Sequence, residues 1–414
     1  MRLAIKTQNT QVPNFTPWIM LTILLSTQIA VAFVGRSIAP LGPLIEENLL
    51  LTKAQIGMLP AALFLGQSII SLPSGMLVDR LGSRGLLLML SLCLGLSFML
   101  FSFLSSFIIM LILVVIGGFG YGAMHPTSNR GIIYWFPVNK RGTAMGIKQM
   151  GVTAGSALSA LILLPIAVEW GWRAASFSAA ILLICIGMFS FIFYQDPPLE
   201  THDLKNKTSV KGFLSSFSEL AKNKSLLAIS IAAIGLTAAQ LSFLTYIVFY
   251  LDEELKLSLY LAGLLFVVTE VFGSIGRIAW GVISDKIFSG KRIIVLIIIS
   301  IITAVNSIII ILLPENISLL LIFPFVALFG FCITGFNGMW MNSASETVSK
   351  DKAGTATGFS LMLGSLGVVF GPPIFGGIVD RSGSYTYAWL FLAFLMVVVT
   401  LILFYANTPR VANK

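Results

Sequence analysis

Charge is what this sequence has least of. Only 10% of its 414 residues are Asp, Glu, Lys or Arg, against about 25% in a soluble domain. So few charges cannot cover a surface that faces water, so most of the surface must face lipid. Histidine occurs twice and cysteine three times. Cys93, Cys185 and Cys332 all sit inside apolar runs, with neither zinc spacing nor a paired arrangement. They read as small packing residues, and no metal site or cofactor is expected. No G-x-x-x-x-G-K-[ST] loop is present, so nothing points to ATP as a driver. No nucleophile stands with a base, so the chain does not read as an enzyme. The polar start, MRLAIKTQNTQVPNFTP, is followed by no small-residue cleavage site. The first apolar run is too long for a signal peptide and reads as a retained span.

What the sequence does have is apolar runs, with 57% hydrophobic residues. A membrane-spanning helix needs about 20 mostly apolar residues. Twelve candidates meet this, at about 18–45, 55–78, 86–106, 108–128, 143–166, 174–194, 226–250, 259–283, 293–313, 318–341, 355–378 and 385–406. The runs are continuous and lack two-residue alternation, which argues against a barrel. The class is an all-α membrane protein. With twelve spans, 19 of the 26 Lys and Arg fall on the side of the termini, four fall on the other side and three lie within spans. The positive-inside rule then puts both termini in the cytoplasm and the chain in the cytoplasmic (inner) membrane as a multi-pass protein. It also accounts for the +9 net charge without nucleic acid.

The longest polar stretch, DPPLETHDLKNKTSVKG (196–212), divides the spans six and six. The expected organisation is an N-terminal bundle (1–195), a cytoplasmic central loop (196–224) and a C-terminal bundle (225–414). FLSSFSELAKNKS, from Phe213, reads as an amphipathic segment along the membrane surface. The halves echo each other. GMLVDRLGSRG (75–85) follows span two, and GVISDKIFSGKR (281–292) follows span eight, with Asp79 and Asp285 206 residues apart. RGTAMG opens span five and AGTATG opens span eleven. Two related six-span halves mark a transporter, with a substrate site expected between them near the midplane.

In the first loop, Gly75 would let two helices approach closely. Asp79 would pair with a basic residue or accept from a helix N-terminus. Arg80 and Arg84 anchor the loop on the cytoplasmic side. Such a cluster would latch the two bundles while that side is closed; simple topology anchoring is the plainer role. The pattern Gly75, Asp79, Arg80, Gly82, Arg84 resembles the loop motif of the major facilitator superfamily, and Asp285 stands in the weaker second copy. The resemblance implies twelve transmembrane helices in two pseudo-symmetric six-helix bundles that rock about a central site. It says little about substrate.

An ionisable residue inside a span costs about 2.5–3.5 kcal/mol on insertion scales, so it is a functional candidate by default. Arg36, Lys148, Glu270 and Arg277 qualify, joined by His125. The Arg36 guanidinium suits carboxylate or phosphate; snorkelling to the interface is its alternative. An apolar setting favours a protonated carboxyl, so Glu270 is a proton-coupling candidate. Pairing with Arg277, seven residues on, would make Glu270 structural instead. His125 is a second titratable candidate, unless it only bonds a carbonyl freed by Pro126. Lys148 would draw an anion inward or snorkel. Gln28, Gln67, Tyr121, Gln149, Gln240, Tyr246, Asn337 and Trp340 are polar or aromatic cavity candidates.

The surroundings of Arg36 resemble the organic-anion and organophosphate branches of the superfamily, where a span-one arginine meets the substrate anion. Their phosphate-ester transporters carry a second arginine in span seven, where this chain has Gln240. That departure implies a monoanionic carboxylate, or a neutral solute, over a phosphate ester. Sugar-acid symporters carry a glutamate where Tyr121 stands, and many relatives carry an arginine at Val114, which weakens a transfer of their proton mechanism. The expectation is a monomeric secondary transporter of a small organic anion, with protons as a coupling ion. Arg36 binds the anion, Gln240, Gln149, Tyr121, Lys148 and Asn337 contribute to the site, and Glu270 or His125 couples. Efflux by proton antiport is the alternative, and a transporter-like receptor the third reading.

Overall fold

The computed structural model describes residues 16–196, 220–349 and 352–407. The start of the amphipathic stretch and the side chain of Asp79 lie outside the described residues. Among those described, all regular structure is helical. The first span is α1 (Thr16–Gly35) and α2 (Ile38–Leu49), interrupted at Arg36 and Ser37. Helix α3 (Lys53–Phe101) has 49 residues. At 1.5 Å per residue it would be far longer than a bilayer core of about 30 Å. It turns back at Gly82, whose φ of 74° suits only glycine without strain, and so supplies spans two and three. Helix α4 (Phe107–Trp135) is the fourth span. Helix α5 (Val138–Leu158) continues through a π-turn (Ser159–Leu163) into α6 (Leu164–Phe193), which turns at Gly171. These give spans five and six.

The second half repeats the plan. Helices α7 (Lys224–Glu253), α8 (Leu259–Lys286) and α9 (Arg292–Ile309) are spans seven to nine. Span ten breaks between α10 (Leu319–Ile333) and α11 (Asn337–Glu346), and α12 (Ala353–Ser382) and α13 (Tyr385–Asn407) complete twelve crossings. The crossings fall where the apolar runs place them. Caps fix several starts: Thr52 and Gln55 form a reciprocal capping box on α3, and the Asn223 side chain accepts from two N–H groups of α7. Large apolar side chains such as Ile69, Phe193, Leu320 and Phe394 are exposed, as a lipid-facing surface requires.

Both loop motifs tie helices within their own half. At the Gly82 turn, the Asp196 carboxylate accepts from the Ser83 N–H at 2.7 Å and from the Arg84 N–H at 3.1 Å. The acid at this helix N-terminus therefore follows span six. Arg84 donates to the Phe191 carbonyl and lies 4.6 Å over its ring. In the second copy, Arg292 bonds Glu346 at 2.6 Å and reaches Asp285 at 3.5 Å. Arg80 is exposed. Gly75 makes no close helix approach in this conformation, because a Cβ there would meet nothing within 4 Å.

The same is true of Gly142, Gly146, Gly338, Gly354 and Gly358. These glycines stand on α5, α11 and α12, toward the face that carries the loop motifs, so the two halves are apart there. At the opposite face they are shut. Lys53 ion-pairs with Glu46 of its own half and, at 2.6 Å, with Glu253 of the other. The Asp380 carboxylate accepts from the N–H groups of Lys53 and Ala54, both at 2.8 Å. The Tyr246 hydroxyl lies between the carbonyls of Lys53 and Pro372, at 2.7 and 2.9 Å. Tyr246 thus belongs to this closure.

Asp380 holds one half's helix start with the other half's carboxylate, an arrangement worth about 1–2 kcal/mol. Asp380→Ala is therefore expected to open this face more often. A cysteine placed at Ala39, with the three native cysteines replaced, should react roughly tenfold faster with an impermeant maleimide added on that side. An unchanged rate would show that the carboxylate does not hold the closure.

Candidate functional site

Arg36 lies where the first span loses its helix, between α1 and α2. Its side chain is 19% exposed. Nε donates to the Tyr121 hydroxyl of α4 at 3.2 Å, and Nη1 stands 3.6 Å from Glu270 Oε1 of α8. The Ser156 hydroxyl of α5 donates to the same Oε1 at 2.7 Å. The Glu270 side chain has no exposure, and its Oε2 has no hydrogen-bond partner among the described residues. The first half thus supplies the guanidinium and two hydroxyls, and the second supplies the carboxylate. Such a pair can exchange partners: a solute anion can take the guanidinium, and a proton can take the carboxylate.

Beside Arg36, toward the closed face, is a small cavity whose lining includes Phe64, Ser156, Leu244, Thr245 and Phe266. It is mainly apolar with one charged group, a common plan for a small-molecule site. Toward the open face, Ser274 of α8 bonds Thr153 of α5 at 2.7 Å, again across the halves. Arg277 is two turns from Glu270. The break in span ten frees the Thr334 carbonyl, which accepts from Arg277 Nε at 3.2 Å and from Asn337 Nδ2 at 3.3 Å. Irregular backbone at membrane depth is tolerated where protein groups satisfy it. Lys148 is 2% exposed, with Nζ 3.4 Å from His125 Nδ1 and 3.3 Å from Asn129 Oδ1.

The sequence profile of the Major Facilitator Superfamily matches residues 24–372. The chain belongs to the major facilitator superfamily. It is 25% identical over 374 residues to a hexuronate transporter of Bacillus subtilis, covering 87% of each chain. It is 26% identical over 269 residues to a probable sulfoacetate transporter of Cupriavidus necator, covering 62% of this chain and 63% of that one. The crystal structure of a nucleoside transporter has the same fold, with a TM-score of 0.79 at 16% identity over 95% of this chain and all of that one. The protein is therefore a multi-pass membrane transporter, and its chemistry is that of moving a solute.

Within this facilitator seven of the sequence-predicted residues form three groups. Arg36, Tyr121 and Glu270 meet directly. Lys148 and His125 meet each other, and Arg277 and Asn337 share the Thr334 carbonyl. Glu270 contacts Arg36 across the halves, so the pairing with Arg277 along α8 is not formed. Gln240 joins none of these contacts; it is partly exposed on α7, next to the cavity residue Leu241. Gln149 is exposed on α5. Trp340 is buried and donates to Ser360 at 2.8 Å, a packing role. Gln28 is buried, and its Oε1 and that of Gln67 lack partners among the described residues.

Sequence reasoning missed Ser156, Asn129 and the Thr334 carbonyl. Ser156 was findable: Gly142, Gly146, Gln149, Thr153 and Ser156 follow one helical face. Asn129 lies one turn beyond His125 by the same rule. Thr334 carried no signal, because a helix break in an apolar run leaves no mark in composition.

Gly35 is small for a definite reason. A Cβ there would press into the Tyr121 ring, which bonds Arg36. Gly35→Ala is expected to tilt that ring and weaken solute affinity roughly tenfold while the chain still folds. Tyr121→Phe, which removes only the hydroxyl, should give a similar loss, consistent with one hydrogen bond to a charged group. Ligand-induced thermal shifts check both, and undiminished binding in both would remove Tyr121 from the site.

Proposed function

We propose that this transporter carries a small organic anion across the cytoplasmic membrane by alternating access, with proton coupling. The observation that carries the reading is the Arg36–Glu270 pair spanning the two halves. An arginine fork away from bulk water suits an acidic group, and a carboxylate whose cation is taken by a solute suits a proton. Residues 1–195 and 225–414 act as the rocking bodies, joined through 196–224, with both termini on the cytoplasmic side. The face that is open in this structure is then the cytoplasmic one. Arg36 holds the acid, and Gln149, Gln240 and Asn337 orient the rest of the solute. Relatives named for hexuronate and sulfoacetate support an organic acid.

A thermal-shift panel of the purified protein tests this reading. Hexuronates, aldonates, short carboxylates and sulfonates should include a stabilising ligand, and the corresponding neutral sugars and cationic amines should not. Stabilisation by neutral or cationic compounds alone would overturn it.

A further inference from the structure

We propose that the solute carries two acidic groups, one held at Arg36 and the second at a separate subsite built by Lys148, His125 and Asn129. The inference rests on the anion reading above and narrows it. Arg36 already has a counter-ion in Glu270. Lys148 has none among the described residues; its two partners, His125 and Asn129, are a ring nitrogen and an amide oxygen. A buried ammonium without a carboxylate is costly to maintain. An ammonium has three N–H groups, and two are used, which leaves one for a solute.

The spacing comes from α4. Tyr121, His125 and Asn129 recur every fourth residue and so share one face. Tyr121 holds Arg36, and the next two hold Lys148. The two anchor points are thus held by successive turns of one helix. His125 stands one turn from Tyr121, the residue that bonds Arg36. It is partly exposed, as is Asn129, so the subsite adjoins open space. Arg277, two turns along α8 from Glu270, adds a third positive charge, with its Nε on the Thr334 carbonyl. Three cations thus face one carboxylate. A monoanion at Arg36 would leave Lys148 without a counter-charge. A short dicarboxylate or sulfocarboxylate would supply it. This revises the single-charge solute that Gln240 suggested: the cation missing from span seven is made good on spans five and eight.

The test uses the purified full chain and matched probes. Malonate, succinate and sulfoacetate are each compared with the monoanion in which a carboxylate is replaced by its amide. At least one dianion should bind roughly ten- to hundredfold more tightly than its amide, the scale of one charged hydrogen bond or two. Lys148→Gln should bring that ratio near one by weakening the dianion alone, with amide binding as the control for folding. Lys148→Arg should keep the preference. Equal binding of acid and amide by the wild type would overturn the proposal, as would a ratio that survives Lys148→Gln. Binding of a monoanion such as glucuronate through Arg36, with no dianion bound, would overturn it and leave the broader anion reading intact. Binding of no anion at all would overturn both.

Discussion

Arg36→Lys is expected to weaken solute binding by about two orders of magnitude. The guanidinium makes two directed contacts at once, Nε to Tyr121 and Nη1 toward Glu270. A lysine keeps the charge and loses the planar fork. Each charge-assisted hydrogen bond is worth about 1.5–3 kcal/mol, and losing one or two of that kind gives roughly a hundredfold. Arg36→Ala goes further. It leaves Glu270 buried without its cation, and breaking a buried pair costs about 3–5 kcal/mol. A lower melting temperature should therefore accompany its loss of binding, whereas Arg36→Lys should melt near the wild type. Equilibrium binding and thermal unfolding of both variants separate the two effects. Affinity of Arg36→Lys within threefold of the wild type would remove Arg36 from the solute's contacts.

Glu270→Gln is expected to uncouple transport from protons. Glutamine keeps the shape and the Oε1 acceptor that the Ser156 hydroxyl uses, so packing should hold. What it removes is the group that competes for Arg36. Two results follow in proteoliposomes. Solute should no longer accumulate against its gradient when an inward proton gradient is imposed, so the inside-to-outside ratio settles near one. Exchange of labelled for unlabelled solute, which needs no net proton movement, should continue within a few-fold of the wild-type rate. Binding should also tighten, because the solute no longer displaces a carboxylate from the guanidinium. Undiminished accumulation by Glu270→Gln would assign coupling elsewhere.

Much of the architecture is legible in the sequence, because lipid imposes a length rule on every crossing. Runs of apolar residues, the basic loops between them and the Asp79 and Asp285 echoes together gave twelve spans in two halves. The turns at Gly82 and Gly171 fall between predicted spans, so regular helix merges across them without changing the count. The interior was half legible. Charge inside a span stands out by its cost, and that rule found Arg36, Lys148, Glu270 and Arg277. It did not say which charges meet. Glu270 and Arg277 share a helix face and invite pairing, yet the preferred partner comes from the other half, 234 positions away along the chain. That contact depends on how two bundles dock, which no local period encodes.

The loop motif shows the same limit. Its arginine and glycine positions are plain in the sequence, but the carboxylate that caps the turn is Asp196, at the start of the central loop after span six. The closure at the opposite face, centred on Lys53, was not anticipated. Lys53 reads as an ordinary loop cation until Glu46, Glu253 and Asp380 are brought around it.

Proton uptake on solute binding tests the Arg36–Glu270 exchange most directly. The purified protein, in weakly buffered solution near neutral pH with an indicator dye, is mixed with a saturating stabilising anion. If the anion takes the guanidinium from Glu270, the carboxylate picks up about one proton per bound solute, and Glu270→Gln binds with none. Saturable binding that moves no proton in the wild type, or the same uptake in Glu270→Gln, would contradict the exchange.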